Sequence, residues 1–243
     1  MKSSRWSILG ILMGSLLLFL VLHLIFRTAI ITDNWDYWEL AGLFDMDSEI
    51  SLFTWFSTTI LLFVPAVLAF FVGWVKRQNQ EKLSWGWFLL GAAFMYLSID
   101  DAAMIHEKIS TLNRMTGLQD VLSSINPALF GWSWWVIYLP IVAVLVMIMT
   151  RWFLTLPTRT KVMIVLAAVL AIGGQVGMEA ISSFVSNSTG EYINPVWRGL
   201  QKFTGRSGLA LFLFAIIDYI LSTPQLKTRL DALVKPRAKT KKK

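Results

Sequence analysis

Two adjacent carboxylates, a histidine and a third carboxylate occur within eight residues, between Asp100 and Glu107. They end an otherwise apolar run, Trp85–Ile99. Ionisable side chains at membrane depth are costly, so they usually face a protein interior and mark a site. Imidazole beside carboxylates suits zinc, iron or manganese, and the hard oxygen ligands favour manganese or magnesium. Without a metal, the same groups could hold a proton and act as an acid, a base or a relay.

Helical spacing predicts which side chains of this cluster share a helix face. Asp100 and Glu107 are seven residues apart, which places them on one helix face and about 10.5 Å apart along the axis. His106 lies about 120° around the helix from Asp100, so the three side chains can line one broad sector. Asp101 points elsewhere, towards the face of Lys108, and is predicted to be a surface or supporting pair. A continuous helix cannot direct all four side chains at one point, so the full set would require the end of the helix to unwind.

Two further ionisable side chains are predicted at the depth of Asp100. His23, Asp100 and Glu179 are the seventeenth, seventeenth and eighteenth residues of three predicted spans that run in the same direction. At a rise of about 1.5 Å per residue they lie at nearly one level, where a single ion could contact all three. The predicted catalytic or ligand residues are therefore Asp100, His106, Glu107 and Glu179, with His23 as a further metal ligand.

Each of these residues also has a plainer interpretation. The cluster at Asp100 would be polar simply because its helix leaves the bilayer there. His23 would be a hydrogen-bonded core residue, and Glu179 would satisfy a neighbouring polar group in a segment where Gly173, Gly174 and Gly177 allow close helix packing.

The composition excludes several classes of protein. Of the 243 residues, 56% are hydrophobic and only 15% are charged, whereas a water-soluble domain carries about 25% charged residues. The absence of cysteine excludes disulfides, thiolate metal sites and cysteine nucleophiles. The net charge of +7 does not indicate nucleic acid, because the basic residues lie next to apolar runs and at the C-terminus, as membrane topology requires.

The predicted fold is an all-α polytopic membrane helix bundle with about six transmembrane helices. Each span takes roughly 20 mainly apolar residues. The predicted spans are Ser7–Phe26, Leu52–Val75, Ser84–Ile105, Ala128–Thr150, Val162–Phe184 and Ser207–Ser222. They form one predicted transmembrane domain, residues 1–223, followed by a polybasic tail, residues 224–243.

The basic residues set the predicted orientation. Sixteen of the 22 Lys and Arg residues fall on one side of the predicted spans, which is the cytoplasmic side by the positive-inside rule. Both termini are then cytoplasmic, and the cluster at Asp100 lies in the outer leaflet. The tail is expected to be attracted to anionic lipid, by about 1 kcal/mol per basic residue near the surface.

A basic stripe precedes the sixth predicted span. Arg198, Lys202 and Arg206 recur four apart in Tyr192–Arg206, opposite the apolar side chains of the same segment. This spacing predicts a short amphipathic helix that lies flat on the headgroups. A sharper hypothesis is that the three cations bind an anionic headgroup near the acidic site.

The segment YLSIDDAAMIHE, Tyr96–Glu107, resembles a signature, L-S-x-D-[D/E]-A-x-x-x-H-E, of uncharacterised bacterial multi-pass inner-membrane proteins. Those proteins are similar in having about six spans and an acidic residue in a later Gly-rich span, as Glu179 is here. The resemblance implies a bacterial inner-membrane location and no particular activity. A more distant similarity to membrane metal hydrolases, including alkaline ceramidases, covers Ser98, Asp100 and His106, but two histidines cannot build their three-histidine zinc site.

Three functional hypotheses follow from the sequence. The first is a metal-dependent enzyme that uses a divalent transition metal (Zn, Fe or Mn) on a lipid or another membrane-soluble substrate. The second is a proton-coupled or cation-coupled transporter, for which Asp218 is the one conspicuous polar residue near the inner face. The third is a non-catalytic subunit of a membrane complex, whose acidic first outer loop docks a membrane-protein partner.

Overall fold

The structure is a computed structural model that describes residues 2–33, 38–125, 134–189 and 195–234. Within these ranges the chain is helical and contains no strand, which confirms the all-α prediction. The helices in chain order are α1 (Lys2–Asp33), α2 (Trp38–Phe44), α3 (Leu52–Phe56), α4 (Val64–Gln78), α5 (Trp85–Ala103), α6 (Ile105–Met115), α7 (Leu118–Ile125), α8 (Trp134–Leu154), α9 (Thr158–Ile172), α10 (Met178–Thr189), α11 (Pro195–Ser222) and α12 (Pro224–Val234).

Two π-helical segments interrupt the α-helical ladder. Ser57–Phe63 joins α3 to α4 and Gly173–Gly177 joins α9 to α10, so each pair forms one continuous rod. A π-turn inserts an extra residue, which widens the helix and redirects the side chains around it, and such turns are frequent at functional sites. Both segments pack against α11.

Four helical stretches are long and apolar enough to cross a membrane: Arg5–Ile30, Leu52–Gln78, Thr158–Ser182 and Val196–Ser222. They coincide with the first, second, fifth and sixth predicted spans. The third predicted span corresponds to α5, where Asp100 and Asp101 lower the hydropathy. The fourth predicted span corresponds to α8, in which Tyr138–Leu154 forms a shorter apolar helix. The first residues of that predicted span, 128–133, lie outside the described residues. The total of six spans remains a prediction.

The outer surface of the bundle is strongly apolar. On α8, for example, Leu139, Ile141, Val146 and Met147 are each 58–67% exposed. An aqueous surface rarely exposes contiguous apolar side chains on this scale, whereas lipid accommodates them without cost. The exposed helices therefore suit a bilayer.

Helix α11 is the centre of the bundle and packs against α1, α4 and α9. Its residues Ala210, Leu213, Phe214 and Ile216 are essentially inaccessible. Its glycine Gly208 permits backbone contact, because a Cβ there would lie 2.3 Å from the nitrogen of Ala171. Helix α11 also corrects one prediction: residues 195–206 do not form a separate helix lying flat, because they are the first three turns of this 28-residue helix.

The two ends of the bundle carry opposite charge. At the basic end, Arg159 Nη2 and Arg5 Nη1 lie 3.0 and 3.4 Å from Oδ1 of Asp218, a buried residue of α11. The acidic end contains Asp45, Asp47, Glu49, Asp100, Asp101 and Glu107.

The predicted tail is helical over α12, where Leu226 is buried against the core. Residues 235–243 lie outside the described residues.

Candidate metal centre

The helix that carries the two aspartates breaks directly after them. Met104 adopts a left-handed conformation, with φ 52° and ψ 42°, and its N–H donates to the carbonyl of Asp100. Asp100 and Asp101 therefore end α5, while His106 and Glu107 occupy the first turn of α6. The predicted single helix through Ile105 is wrong here, and so is the inference that Asp100 and Glu107 share one helix face.

The carboxylate of Asp100 organises the turn between α5 and α6. Its Oδ1 accepts the backbone N–H of His106 at 2.8 Å, which caps the first turn of α6. The same oxygen accepts the hydroxyl of Tyr138 on α8 at 2.9 Å. Tyr138 in turn shares a hydrogen bond of 2.9 Å with the hydroxyl of Tyr96. Asp100 is thus held by donors from two different helices.

The second oxygen of Asp100 contacts the histidine ring, with Oδ2 3.3 Å from Nδ1 of His106. Burial favours the neutral imidazole, but Asp100 and, more weakly, Glu49 and Glu107 outweigh it and raise the pKa of His106 above 6.5. A carboxylate on one ring nitrogen fixes the tautomer and makes the other nitrogen a better metal ligand. Asp100 is therefore placed to orient His106.

Glu49 reaches the same place from the connection between α2 and α3. Its neighbours fix this loop: Ser51 Oγ accepts the N–H of Thr54 at 3.1 Å and caps α3, and Thr54 Oγ1 donates to the carbonyl of Ser48 at 2.8 Å. Glu49, His106 and Glu107 each offer a ligand atom, and these atoms lie within 4.8 Å of one another. Of the residues that the structure describes, these three form the one group of this kind.

This donor set fits a divalent metal ion. Two ligands bound at about 2.1 Å lie at most about 4.2 Å apart, so small side-chain rotations would bring the three atoms onto one ion. One imidazole and two carboxylates match the zinc, iron and manganese chemistry predicted from the sequence. Three protein ligands also leave room for water or substrate on the ion. We call Glu49, His106 and Glu107 the ligand triad.

The chain matches the model of one family, whose function is unassigned. The family described as Domain of unknown function (DUF8692) matches residues 11–216, which include the whole ligand triad and most of α11. The chain belongs to the DUF8692 family. No curated protein and no solved structure gives a significant match.

The basic stripe of this DUF8692 chain faces its own acidic end. Arg198 Nη1 lies 2.8 Å from Asp47 Oδ2, and Lys202 Nζ lies 3.8 Å from Glu49 Oε1. These two contacts, and the pairing of Arg206 with Asp101, tie α11 to the rest of the acidic end. The predicted headgroup-binding stripe, Arg198, Lys202 and Arg206, is therefore already paired with carboxylates, because the stripe is part of a packed helix and not of a surface helix.

Asp101 has a more central place than its sequence ranking gave it. Arg206 Nη2 donates to its Oδ1 at 2.8 Å, and Thr58 Oγ1 and Ser57 Oγ donate to its Oδ2 at 2.7 and 3.3 Å. Both hydroxyls come from the π-helical segment Ser57–Phe63, so the wide turn supplies two donors to one carboxylate. Asp101 points away from Asp100, as predicted, but towards α11 and not towards a surface beside Lys108.

His23 is buried in α1 and lies apart from the ligand triad. Its Nδ1 lies 3.1 Å from the backbone nitrogen of Met46 and 3.2 Å from Oδ1 of Asp45. A Cβ on Gly199 would lie 2.9 Å from Cδ2 of His23, so the glycine allows α11 to pass over the ring. His23 therefore makes a structural contact between α1 and the loop at Asp45, and its role as a metal ligand stays a prediction.

Glu179 is half-buried in the first turn of α10 and is not part of the ligand triad. His23, Asp100 and Glu179 are not among the described residues whose ligand atoms lie within 4.8 Å of one another, so the predicted three-helix ion site has no support in the structure. Equal depth along three helices places residues in one layer, but it does not determine how each helix is rotated. The site instead uses Glu49, a loop residue that helical periodicity could not rank.

Proposed function

We propose that this protein is a multi-pass inner-membrane, metal-dependent enzyme whose metal is held by Glu49, His106 and Glu107. The observation that carries the proposal is the convergence of three ligand atoms within 4.8 Å, from two separate segments of the chain, with Asp100 beside Nδ1 of the histidine. Isolated surface acids lack such an orienting carboxylate, whereas metal-binding histidines usually have one.

A metal at this position would polarise a carbonyl or phosphoryl oxygen and lower the pKa of a bound water. The chain's own residues bind and orient: Asp100 holds the ring of His106, and Tyr138 holds Asp100. Glu107 is exposed, whereas Glu49 and His106 are partly covered, so the triad can be reached from outside.

The substrate class follows from where the triad lies. The triad occurs where α5 gives way to α6, beside the start of the rod Leu52–Gln78, whose length and apolarity allow it to cross a membrane. A substrate with both a polar group and an apolar part could approach along the lipid-facing helices and present the polar group to the metal. We therefore infer a lipid or another membrane-soluble substrate.

The proposed orientation has six spans with both termini cytoplasmic, which puts the acidic end outside. The basic end carries Arg5, Lys76 and Arg159, and the positive-inside rule places such a surface in the cytoplasm. The transporter hypothesis draws less support, because Asp218 is already neutralised by Arg5 and Arg159 and offers no obvious cation relay. The docking hypothesis also weakens, since Asp47 pairs with Arg198 of the same chain.

Metal titration of the full-length protein in detergent micelles tests the proposal. Wild-type protein should bind one equivalent of Mn²⁺ or Zn²⁺, and His106→Ala and Glu107→Gln should abolish stoichiometric binding. Asp100→Asn should weaken metal affinity by about 10- to 100-fold, because it disturbs only the orientation of the ring. Glu39→Gln, which removes an exposed acid of α2 outside the triad, is the matched control and should bind like wild type.

Two results would overturn the proposal. Wild-type protein that binds neither metal would exclude a metal enzyme, and proton-coupled flux in liposomes would then favour the transporter. Equal loss of binding in Glu39→Gln and Glu107→Gln would show that the ions bind a diffuse acidic surface. With a metal established, loss of turnover of a bacterial lipid extract on chelation, followed by mass spectrometry, would test the substrate class.

A further inference from the structure

A cleft of about 350 Å³ opens at the basic end of the bundle, where α4, α5 and α11 meet the connection between α8 and α9. It is separate from the ligand triad: Trp87 in its wall and Asp100 are thirteen residues apart on α5, or about 20 Å along the axis. Its volume is within the range of sites that hold small ligands, about 300–1,000 Å³.

The floor of the cleft is aromatic and fixed in place. The ring of Trp87 packs edge-on against Trp152, with centroids 5.2 Å apart, and stacks on Tyr219 at 4.8 Å. All three side chains are at most 6% exposed. Gly86 keeps Trp152 close, because a Cβ on Gly86 would lie 2.1 Å from Cγ of that ring. These packed rings therefore give the cleft a rigid base, of which only a small part is accessible.

The rim of the cleft is cationic. Lys76 Nζ lies 2.6 Å from Oε2 of Glu81 and 5.7 Å from the centroid of the Tyr219 ring, so Lys76 neutralises the one acid in the lining. Lys82 also lines the cleft and is exposed, and among the described residues it has no acidic partner. One uncompensated positive charge therefore stands beside an apolar floor.

We propose that this cleft binds the headgroup of an anionic glycerophospholipid. The lipid phosphate would lie at Lys82, and the glycerol and first acyl carbons would lie against the apolar part of the lining, which includes the partly exposed Leu83. Basic pockets between transmembrane helices on the cytoplasmic side bind such headgroups, because that leaflet is rich in anionic lipid. A zwitterionic headgroup would bring its own cation towards Lys82, so its binding would be weaker.

Native mass spectrometry of the full-length protein, released from micelles doped with a single lipid, tests this site. Wild-type protein should retain one phosphatidylglycerol and little phosphatidylcholine. Lys82→Gln should retain phosphatidylglycerol about fivefold less tightly, the effect of one basic residue near an anionic headgroup. Arg77→Gln is the matched control, since Arg77 is exposed at the same end of α4 but does not line the cleft. It should behave like wild type.

Lys82 is exposed and has no hydrogen bond or ion pair within the described part of the chain, so its substitution should not impair folding, and Lys82→Glu should deepen the loss. Equal effects of Lys82→Gln and Arg77→Gln would overturn the proposal in favour of general surface attraction. Equal retention of phosphatidylcholine would overturn the role of headgroup charge. Displacement of the lipid by millimolar glycerol phosphate would show a site for soluble anions, and that result would also overturn it. None of these outcomes depends on metal binding at the opposite end.

Discussion

Asp101 and Arg206 form a buried ion pair that joins α5 to α11, with Arg206 Nη2 2.8 Å from Asp101 Oδ1. The two side chains are only 11% and 12% exposed. Thr58 and Ser57 donate to the other oxygen of Asp101, so the carboxylate is compensated on both sides. The adjacent aspartates thus divide two tasks: Asp101 holds the helices together, and Asp100 orients the histidine.

Removal of one charged partner of this pair should lower the free energy of unfolding far more than removal of both partners. Asp101→Ala leaves the guanidinium of Arg206 buried without its carboxylate, and removal of one member of a buried pair costs about 3–5 kcal/mol. Asp101→Ala combined with Arg206→Met removes both charges and should recover a substantial part of that loss. The free energy of unfolding, measured in mixed micelles, gives the comparison. A double variant as unstable as the sum of the two single variants would show that the charges do not interact.

Gly174 should be intolerant of a side chain, unlike its neighbour Gly173. A Cβ on Gly174 would lie 2.2 Å from the backbone nitrogen of Gly205 on α11, and backbone cannot move aside as a flexible side chain can. A Cβ on Gly173 would meet nothing within 4 Å. Overpacking typically costs about 1–3 kcal/mol. Gly174→Ala should therefore lower the free energy of unfolding by an amount in this range or larger. Gly173→Ala should be neutral or gain up to about 1 kcal/mol from helix propensity.

Thermal unfolding of the two alanine variants in the same detergent measures this difference. Similar melting temperatures for both would contradict the close approach of α11 to the π-helical segment Gly173–Gly177. The sequence showed three glycines here and gave no means to rank them, because which glycine faces α11 depends on the rotation of the helix.

The sequence predicts the long helices well because their signal is local. Apolar composition over some 20 residues is a property of one segment, and four predicted spans coincide with helices able to cross a membrane. The local pairing of Asp100 with His106 also emerges from a short motif. The helix break at Met104 could not be predicted from the sequence, because a methionine in the left-handed conformation has no characteristic sequence pattern.

Long-range partners were harder to predict. Glu49 joins His106 across a gap of more than 50 residues, and Arg206 pairs with Asp101 from the last long helix. A signal was present: acids alternate at Asp45, Asp47 and Glu49, and cations recur every four residues on α11. Complementary charge at the same end of the bundle could have matched the two sets. Which acid takes which cation is decided by packing, which the sequence of one chain does not reveal.

The contact of Asp45 with His23 and Arg27 should make stability depend on pH in the acid range. Burial alone would raise the pKa of Asp45, but His23, the N–H of Asp47 and the guanidinium of Arg27 outweigh burial and lower it below 3.8. A carboxyl group with a lowered pKa in the folded state stabilises fully above its unfolded pKa, and the contribution disappears as pH falls through the folded value.

Asp45→Asn should therefore destabilise the protein by about 1.5–3 kcal/mol near neutral pH, the range for hydrogen bonds to a charged group. The difference from wild type should stay constant down to about pH 5 and shrink below about pH 4. Unfolding at a series of pH values measures it. Glu39→Gln removes an exposed acid and should show a small difference throughout. A difference for Asp45→Asn that grows on acidification would contradict the assigned direction of the shift.

Tyr138 should tune metal affinity without contacting the metal. Its hydroxyl donates to Oδ1 of Asp100 at 2.9 Å, while the other carboxylate oxygen lies beside Nδ1 of His106. Tyr138→Phe removes this donor and keeps the ring, so Asp100 retains the backbone N–H of His106 but loses its link to α8. Supporting residues of this kind change metal affinity by about 10- to 100-fold when they are altered, and because one donor remains we expect about tenfold.

Tyr96→Phe provides the control for that experiment, since Tyr96 contacts the hydroxyl of Tyr138 and not the carboxylate of Asp100. Titration with Mn²⁺ should give a small change for Tyr96→Phe and the larger one for Tyr138→Phe, at equal unfolding stability. If both substitutions weaken binding equally, the tyrosines act through general packing of α5 against α8. If neither changes affinity, the orientation of Asp100 depends on the α5–α6 turn alone, and the hydrogen bond from α8 has no part in the metal centre.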